Sequence, residues 1–545
     1  MRNTFRLGFI LIFLIISSIG FAENEAISKK PKENDFNEKD VSKLLMLGIY
    51  GKNLNKLNQR KLQKVRPGGI ILFGANVSSY SQLKKLVQDI YSLYDNMKED
   101  RPFIAIDQEG GNVTRIKTYP RMPAPSLFGK GVKPDQIRNV AYFNSKLLRS
   151  LGINMNFSPV LDIQPIGGND FLGARTYSSN PYTVGNISER VIEGANEAYV
   201  ISTAKHFPGH GDLVGDSHKI LPFSHKTLNE LKKKELIPYY QIINQNKIPA
   251  IMVGHIGLPK VIQGEEPASF SSEINTNLLR KELKFKGIIL TDDIQMQGAK
   301  IDPDPGKRAE LAIRSGVDLV MIAWNRKAQY KAYNHLLKTY RKDPKFRSVV
   351  HQSLKRLKDA KKTFHILGKE SNPKSLKQIN TNKQMLEIEI TKLFDQRGYR
   401  KKHLSFLQKN QSSIDKPVVV LSKYKSFYKN LKSNAPNRRL IFFQLNKGFS
   451  NSKLKAVFDK YPESIFYFQA SSKKHLDMLK NIKPTTLEKT FVINGADRNY
   501  ISNYSNIYTG TTLPELGIYL ADMKNEKRDI ANAKSHNKKQ NQKEN

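Results

Sequence analysis

Three short segments of the chain concentrate residues that can transfer protons, form covalent bonds or bind polar ligands. The longest runs from Lys205 to His218 (KHFPGHGDLVGDSH) and holds three His, two Asp and one Lys. Its proline and glycines exclude a regular helix, so His206 and His210 do not form a helical metal-binding pair. Catalysis, metal binding by imidazole and carboxylate groups, and a purely structural loop each explain this composition.

The other two segments carry carboxylates directly after apolar runs. Asp107 begins DQEGGNVTR after the run FIAI, and Asp292 and Asp293 follow GIIL. A carboxylate beside a glycine turn can accept hydrogen bonds from sugar hydroxyls, or it can cap the turn. Glycosidases pair a carboxylate nucleophile with a second group that acts as acid and base. The pattern alone leaves open which of Asp292 and Asp293 would be the nucleophile.

The apolar runs that precede these segments belong to a regular α/β alternation. Eight short runs rich in β-branched residues alternate with amphipathic segments of helical length, which predicts a (β/α)₈ TIM barrel, with a doubly wound sheet as the alternative. The predicted strands are Leu44–Tyr50, Gly69–Phe73, Phe103–Asp107, Asn154–Val160, Ser202–His206, Ala250–His255, Gly287–Asp292 and Asp318–Ala323. Because the reactive segments follow strands, they are expected at the carboxyl-terminal mouth of the barrel, where TIM-barrel active sites lie.

The pattern divides the chain into several parts. A second alternation after the barrel predicts a smaller, Rossmann-like α/β sandwich without a Gly-rich phosphate loop. The predicted boundaries are a signal peptide at 1–22, a flexible leader at 23–40, the barrel at 41–369, a linker at 370–382, the second domain at 383–523 and a disordered basic tail at 524–545.

The amino terminus and the charge balance indicate an exported, strongly basic protein. Arg2 and Arg6 precede an apolar stretch that ends at Gly20-Phe21-Ala22, which is typical of a cleavable signal peptide; an uncleaved membrane anchor is the alternative. The net charge is +41, which favours anionic cell-wall polymers as partners or reflects composition alone. No nucleic-acid recognition motif occurs, and no further stretch is long enough to span a membrane. We therefore expect a periplasmic or extracellular protein without a stable membrane span after cleavage.

Together these motifs resemble a known enzyme family. KHFPGHGD followed by DSH, with DQEGGxVxR, GARTYSSNP and TDDIQM in this order, is similar to the bacterial β-N-acetylglucosaminidases of glycoside hydrolase family 3. The resemblance extends from about Leu44 to Ala360. It implies a retaining exo-hydrolase that needs no cofactor or metal and removes terminal β-linked N-acetylglucosamine from peptidoglycan-type glycans.

The resemblance also implies a role for individual residues. Asp292 corresponds to the family's covalent nucleophile, and His218 with Asp216 corresponds to its acid/base dyad. A histidine near its ordinary pKa of about 6.5 can both give and take a proton near neutral pH. The residues that match the family's sugar-binding positions are Asp107, Arg115, Arg175, Lys205 and His206.

Several alternatives remain at this point. A phosphorylase would use phosphate in place of water, because a neutral histidine repels phosphate less than a carboxylate does. A metal-dependent polysaccharide hydrolase or deacetylase would lose activity with a chelator. The last alternative is a basic cell-wall-binding protein without catalysis.

Overall fold

The computed structural model describes residues 37–116, 120, 122–129, 131–164, 172–210, 213, 217, 219–245, 247–396, 416–422, 439–445, 449–470, 490–494 and 507–509. The predicted signal peptide at 1–22 and basic tail at 524–545 lie outside these residues. The predicted leader at 23–40 falls partly within them. Glu38–Leu44 forms a 3₁₀ helix with Val41 buried, so the boundary predicted at residue 41 falls inside this helix.

Eight parallel strands form a single sheet in the spatial order β8-β1-β2-β3-β4-β5-β6-β7. The strands are β1 (Leu45–Gly48), β2 (Gly69–Leu72), β3 (Phe103–Ile106), β4 (Met155–Asn156), β5 (Ile201–Phe207), β6 (Ala250–Val253), β7 (Ile288–Thr291) and β8 (Val320–Ile322). A parallel bridge between Leu290 and Leu319 joins the last strand to the first in this order. The predicted (β/α)₈ barrel is thereby confirmed.

Helices follow the strands and cover the outside of the barrel. They are α1 (Lys56–Val65), α2 (Tyr80–Asn96), α3 (Pro125–Phe128), α4 (Pro134–Ser150), α5 (Pro181–Glu197), α6 (Leu228–Lys233), α7 (Ile237–Asn244), a π-helix (Glu273–Glu282), α8 (Pro305–Arg314), α9 (Arg326–Lys342), α10 (Pro344–Thr363) and α11 (Leu376–Gln396). The amphipathic segment from Leu228 to Asn244 contains two helices, because Pro238 starts a new one.

Tight contact between β8 and β1 closes the barrel where the first and last strands meet. A Cβ on Gly48 would lie 1.8 Å from the Ala323 carbonyl oxygen, so only glycine permits this approach. Buried side chains of the neighbouring helices bind the strand ends. Lys61 Nζ donates to the Gly48 carbonyl at 2.6 Å, and Gln329 Nε2 donates to the Ile322 carbonyl at 2.9 Å.

The second α/β pattern forms its own sheet. Five parallel strands stand in the order β10-β9-β11-β12-β13, with bounds β9 (Val418–Ser422), β10 (Leu440–Gln444), β11 (Ile465–Ala470), β12 (Thr490–Asn494) and β13 (Ile507–Thr509). Helix α12 (Asn451–Lys460) packs Phe458 edge-on against Phe466, with ring centroids 4.5 Å apart. The sequence predicts strands here at Pro417–Leu421, Leu440–Gln444, Ser464–Phe468, Thr490–Asn494 and Asn506–Thr509, and a strand is observed at each of them.

Helix α11 requires a correction to the predicted linker at 370–382. The helix runs from Leu376 to Gln396 and packs on the barrel helix α4, with Leu386 fully buried. Gln136 of α4 donates to the Glu389 carbonyl at 2.9 Å and to its carboxylate at 3.0 Å. The apolar face of α11 therefore covers the barrel, so the boundary predicted at residue 383 falls inside a barrel-packed helix.

Among the described residues, none of the helices combines the length and apolar character needed to cross a lipid bilayer.

We predict that the buried carboxylate of Asp318 is a main stabilising contact of the barrel. It binds Arg280 and Arg356 and accepts the Ile289 backbone N–H at 2.9 Å. Asp318→Ala leaves the partly buried guanidinium groups without their counter-ion and should lower the free energy of unfolding by about 3–5 kcal/mol. Urea unfolding can be followed by the fluorescence of Trp324, the only tryptophan of the chain.

The matched control is Asp89→Ala, which removes an exposed ion pair with Lys85. This substitution should lower the free energy of unfolding by at most about 1 kcal/mol. Equal losses in the two variants would contradict a stabilising role for Asp318.

Candidate active site

The predicted site residues within the described part of the chain meet at the carboxyl-terminal mouth of the barrel. Asp107 directly follows β3, Lys205 and His206 lie near the end of β5, and Asp292 directly follows β7. Arg175 ends a 3₁₀ helix that precedes α5. Asp216 and His218 lie outside the described residues, so their positions stay predictions.

A buried lysine joins two carboxylates at the centre of this site. Lys205 Nζ lies 2.7 Å from both Asp107 Oδ1 and Glu109 Oε1. Arg175 binds the two oxygens of Glu109 at 2.8 Å each, and Arg115 lies 3.3 Å from Asp107 Oδ2. Three cations and two carboxylates leave one positive charge in excess. Glu109 was not among the predicted site residues.

Mutual attraction keeps every member of this cluster charged. Burial by itself would raise the pKa of Asp107, but the charges of Lys205 and Arg115 oppose it and hold that pKa at about 2. The pKa of Glu109 also lies below its usual range, because Lys205 and Arg175 outweigh the effect of burial. Burial would lower the pKa of Lys205, yet its two carboxylates raise it. The cluster therefore stays fixed across the physiological pH range.

Exposure separates the groups that can touch a ligand from those that support them. The Asp107 and Arg115 side chains are 16% and 35% exposed, whereas those of Glu109 and Lys205 are 1% and 3% exposed. In addition, Arg115 Nε is buried and has no hydrogen-bond partner among the residues described. Asp107 and Arg115 thus offer an acceptor and donors to a polar ligand, on top of a buried ionic base.

A second charged group holds the two histidines of the β5 loop. Asp162, which follows β4, lies 2.6 Å from His206 Nδ1 and accepts the His210 backbone N–H at 2.6 Å. Burial would raise the pKa of Asp162, but the neighbouring His206 lowers it to about 2. Burial lowers the pKa of His210. Asp162 was not among the predicted site residues, although it stands only two residues after a predicted strand.

The two aspartates after β7 have different surroundings. Asp293 Oδ1 accepts backbone N–H groups of Gln295 at 3.1 Å and Ala323 at 3.2 Å. Burial, together with the charge of Asp292, raises the pKa of Asp293 to about 7. Buried His255 also binds the Asp293 carbonyl through Nε2 at 3.0 Å. Asp293 is thus held by the barrel wall.

The arrangement is that of a site for a polar ligand beside a carboxylate. Fixed cations and carboxylates supply donors and acceptors at one side of the mouth, and Asp292 stands at the end of β7. Within the described residues, no group of three or more His, Asp and Glu side chains could hold a metal ion.

Comparisons with known proteins identify relatives of the barrel part of the chain. The model of the glycosyl hydrolase family 3 N terminal domain matches residues 37–358. A β-hexosaminidase from Idiomarina loihiensis is 32% identical over 288 residues, which cover 52% of this chain and 84% of that protein. One from Neisseria meningitidis serogroup A is 32% identical over 286 residues, or 51% of this chain and 77% of that one.

A solved structure shows the same fold over most of the chain. The family 3 β-N-acetylglucosaminidase from Paenibacillus sp. FPU-7 superposes with a TM-score of 0.71 at 22% identity and covers 89% of this chain and 96% of that one. The matching family model and the named relatives define the protein as a glycoside hydrolase. Within that class, the chain belongs to glycosyl hydrolase family 3.

We predict that the buried carboxylates make the stability of the barrel acid-sensitive. The pKa of Asp162 is about 2 in the folded protein, against about 3.9 for an unfolded chain. Its stabilisation is therefore complete above about pH 4 and is lost as the pH falls towards about 2. Asp162→Asn should lower the free energy of unfolding by about 2 kcal/mol at pH 6 and by much less at pH 2. The measurement is urea unfolding followed by fluorescence.

The control for this experiment is Asp89→Asn on the surface, which should follow the wild type at every pH. A constant gap between wild type and Asp162→Asn from pH 6 to pH 2 would refute the ionic origin of the stabilisation.

Proposed function

We propose that the protein is a retaining exo-β-N-acetylhexosaminidase that releases terminal N-acetylglucosamine. The observation that carries this proposal is the pairing, in one barrel mouth, of the Asp292 carboxylate with the Asp107–Lys205–Glu109 cluster. The curated relatives are named β-hexosaminidases, and the chain covers more than three quarters of both relatives compared above.

Asp292 is the proposed nucleophile. Asp293 accepts two backbone N–H groups, and its raised pKa keeps it largely protonated below about pH 7, so it is a poor nucleophile. Asp292 Oδ1 accepts the Asp293 N–H at 2.7 Å, which orients the carboxylate. In the first step Asp292 attacks the anomeric carbon, and the bond from that carbon to the leaving oxygen breaks. The product is a covalent glycosyl-enzyme.

His218 is the proposed acid and base, with Asp216 as its partner. His218 donates a proton to the leaving oxygen in the first step and takes one from water in the second. Water then displaces Asp292 from the anomeric carbon, so the sugar leaves with its original anomeric configuration. Asp216 would hold the imidazole orientation and stabilise its charged form.

The charged cluster is the proposed binding site of the sugar that is released. Asp107 can accept hydrogen bonds from adjacent hydroxyls, and Arg115 and Arg175 can donate them, while buried Lys205 holds the two carboxylates in place. His206, held by Asp162, adds a further polar group at the same side. Because the cluster is already assembled, little energy is spent on ordering it when the sugar binds.

Peptidoglycan-type glycan is the proposed natural substrate, and the periplasm or extracellular space is the proposed location. The predicted signal peptide and a charge of +41 support both, since anionic wall polymers would attract the enzyme to its substrate. This attraction is screened by salt. Binding of the chain to purified wall should therefore weaken as the salt concentration rises.

We predict hydrolysis of p-nitrophenyl N-acetyl-β-glucosaminide and little hydrolysis of the corresponding β-glucoside. Asp292→Asn should reduce kcat by about 1000-fold or more, because the covalent step is lost. Asp293→Asn keeps a group that accepts backbone hydrogen bonds, so its kcat should fall far less. The measurement is the rate of nitrophenol release by the mature chain from Glu23, with and without chelator and phosphate.

The variants also separate the proposed roles. The His218→Ala variant should hydrolyse the substrate more slowly, and azide should restore its rate. Azide attacks the intermediate without needing a base and yields the β-glycosyl azide. Activity that disappears with chelator would favour a metal-dependent hydrolase, and strict dependence on phosphate would favour a phosphorylase. If neither glycoside is cleaved, the exo-hydrolase proposal fails.

A further inference from the structure

Three aromatic residues stand at the ends of adjacent strands, in the part of the mouth that borders the charged cluster. Tyr50 follows β1, Phe73 follows β2 and Trp324 follows β8. These strands are neighbours in the order β8-β1-β2, whereas the charged groups follow β3, β4 and β5. The nucleophile candidate Asp292 directly follows β7, which neighbours β8. The mouth therefore has a polar half and an aromatic half, and Asp292 borders the aromatic one.

The aromatic residues form a defined surface. The Phe73 and Trp324 rings lie 4.3 Å apart with 36° between their planes, and the Tyr50 ring lies 6.2 Å from Trp324. The Tyr50 hydroxyl donates to the Trp324 carbonyl. Tyr50 is 46% exposed and Trp324 is 38% exposed, although both are large side chains that gain from burial. We call these three residues the aromatic platform.

Buried amides fix the backbone of the platform. Asn58 donates to the Tyr50 carbonyl at 2.7 Å and accepts its N–H at 3.3 Å. Asn76, fully buried, binds the carbonyls on both sides of Tyr50 and accepts the Phe73 N–H at 2.9 Å. These contacts hold the exposed rings in place before any ligand arrives, which lowers the entropic cost of binding.

The platform is directly connected to the reaction centre. The Gln295 side-chain oxygen accepts the backbone N–H of Trp324 at 2.9 Å. The backbone N–H of Ala323, which precedes Trp324, donates to Asp293 Oδ1 at 3.2 Å. On the other side, a Cβ on Gly74, next to Phe73, would lie 3.4 Å from the Arg115 carbonyl. The platform therefore continues from the carboxylates after β7 to the edge of the charged cluster.

We propose that the aromatic platform binds the sugar ring on the leaving side of the scissile bond. This proposal rests on the proposed function, which places the released sugar on the charged cluster. A pyranose has an apolar C–H face that packs on an aromatic ring, and an open, half-exposed surface suits a group that must depart after the first step. The enzyme would thus prefer a second sugar as the leaving group over a small one.

The test compares two substrates that differ only in the leaving group. N,N′-diacetylchitobiose offers a sugar ring to the platform, whereas N-acetyl-β-glucosaminyl fluoride offers none. Trp324→Ala should lower the ratio of kcat/KM for chitobiose to kcat/KM for the fluoride by about tenfold, and Trp324→Tyr should restore part of it. The matched control is Tyr199→Ala, an exposed aromatic that precedes β5 at the opposite face of the barrel. It should leave the ratio unchanged.

An unchanged ratio in Trp324→Ala would overturn the platform, whether kcat/KM stays the same for both substrates or falls equally for both. An equal fall would indicate that Trp324 only covers the edge of the mouth. Neither outcome depends on the assignment of the nucleophile.

A binding measurement decides the question even if the wild type cleaves neither compound. Trp324 is the only tryptophan of the chain, so its fluorescence reports directly on the platform. In Asp292→Asn, chitobiose should change the emission saturably, and N-acetylglucosamine should change it much less. If the wild type hydrolyses neither compound and the signal is present in Asp292→Asn, the proposed function alone is refuted. If the wild type hydrolyses chitobiose and Asp292→Asn gives no signal, the platform alone is refuted.

Discussion

The contact on which the rest of the site depends is the buried Lys205 ammonium between Asp107 and Glu109. A cation so far removed from water is tolerated only beside counter-charges, and each carboxylate needs the cation in turn. This mutual requirement ties the end of β5 to the end of β3. Through Glu109 it also fixes Arg175, which belongs to the connection that precedes α5. The donors and acceptors are thus aimed before substrate arrives, which is the form of electrostatic preorganisation that favours catalysis.

The rest of the mouth complements this ionic half. The β7 aspartates stand between charged groups on β3 to β5 and aromatic groups on β8 to β2. In the proposed complex, the released sugar contacts the charged half through its hydroxyls, and the leaving sugar contacts the aromatic half through its apolar face. The barrel closure at Gly48 positions the aromatic half, because it brings β8 and β1, and hence Trp324 and Tyr50, into direct contact. The proposed aromatic platform therefore depends on the same contact that closes the barrel.

The strands and the reactive segments could be predicted because both have local signals: β-branched runs, and carboxylates or histidines directly after them. Asp162 follows the same rule and was overlooked because no motif marks it. The role of Glu109 could not be predicted, since its partners Lys205 and Arg175 are distant in sequence and meet only in the folded barrel. The linker prediction failed for a related reason. The polar composition around 370–382 concealed the apolar face of α11, whose partner helix α4 lies more than two hundred residues earlier.

The assignment of Asp292 as the covalent nucleophile is tested most directly by trapping the glycosyl-enzyme. A 5-fluoro N-acetyl-β-glucosaminyl fluoride slows both steps, while its good leaving group keeps the first one accessible, so the intermediate accumulates. Trypsin releases residues 287–300 as one peptide that contains both Asp292 and Asp293, and fragmentation by mass spectrometry separates them. The account predicts one added glycosyl group, carried by Asp292. A label on Asp293 or elsewhere in the chain, or turnover that yields the α-anomer first without any label, would contradict it.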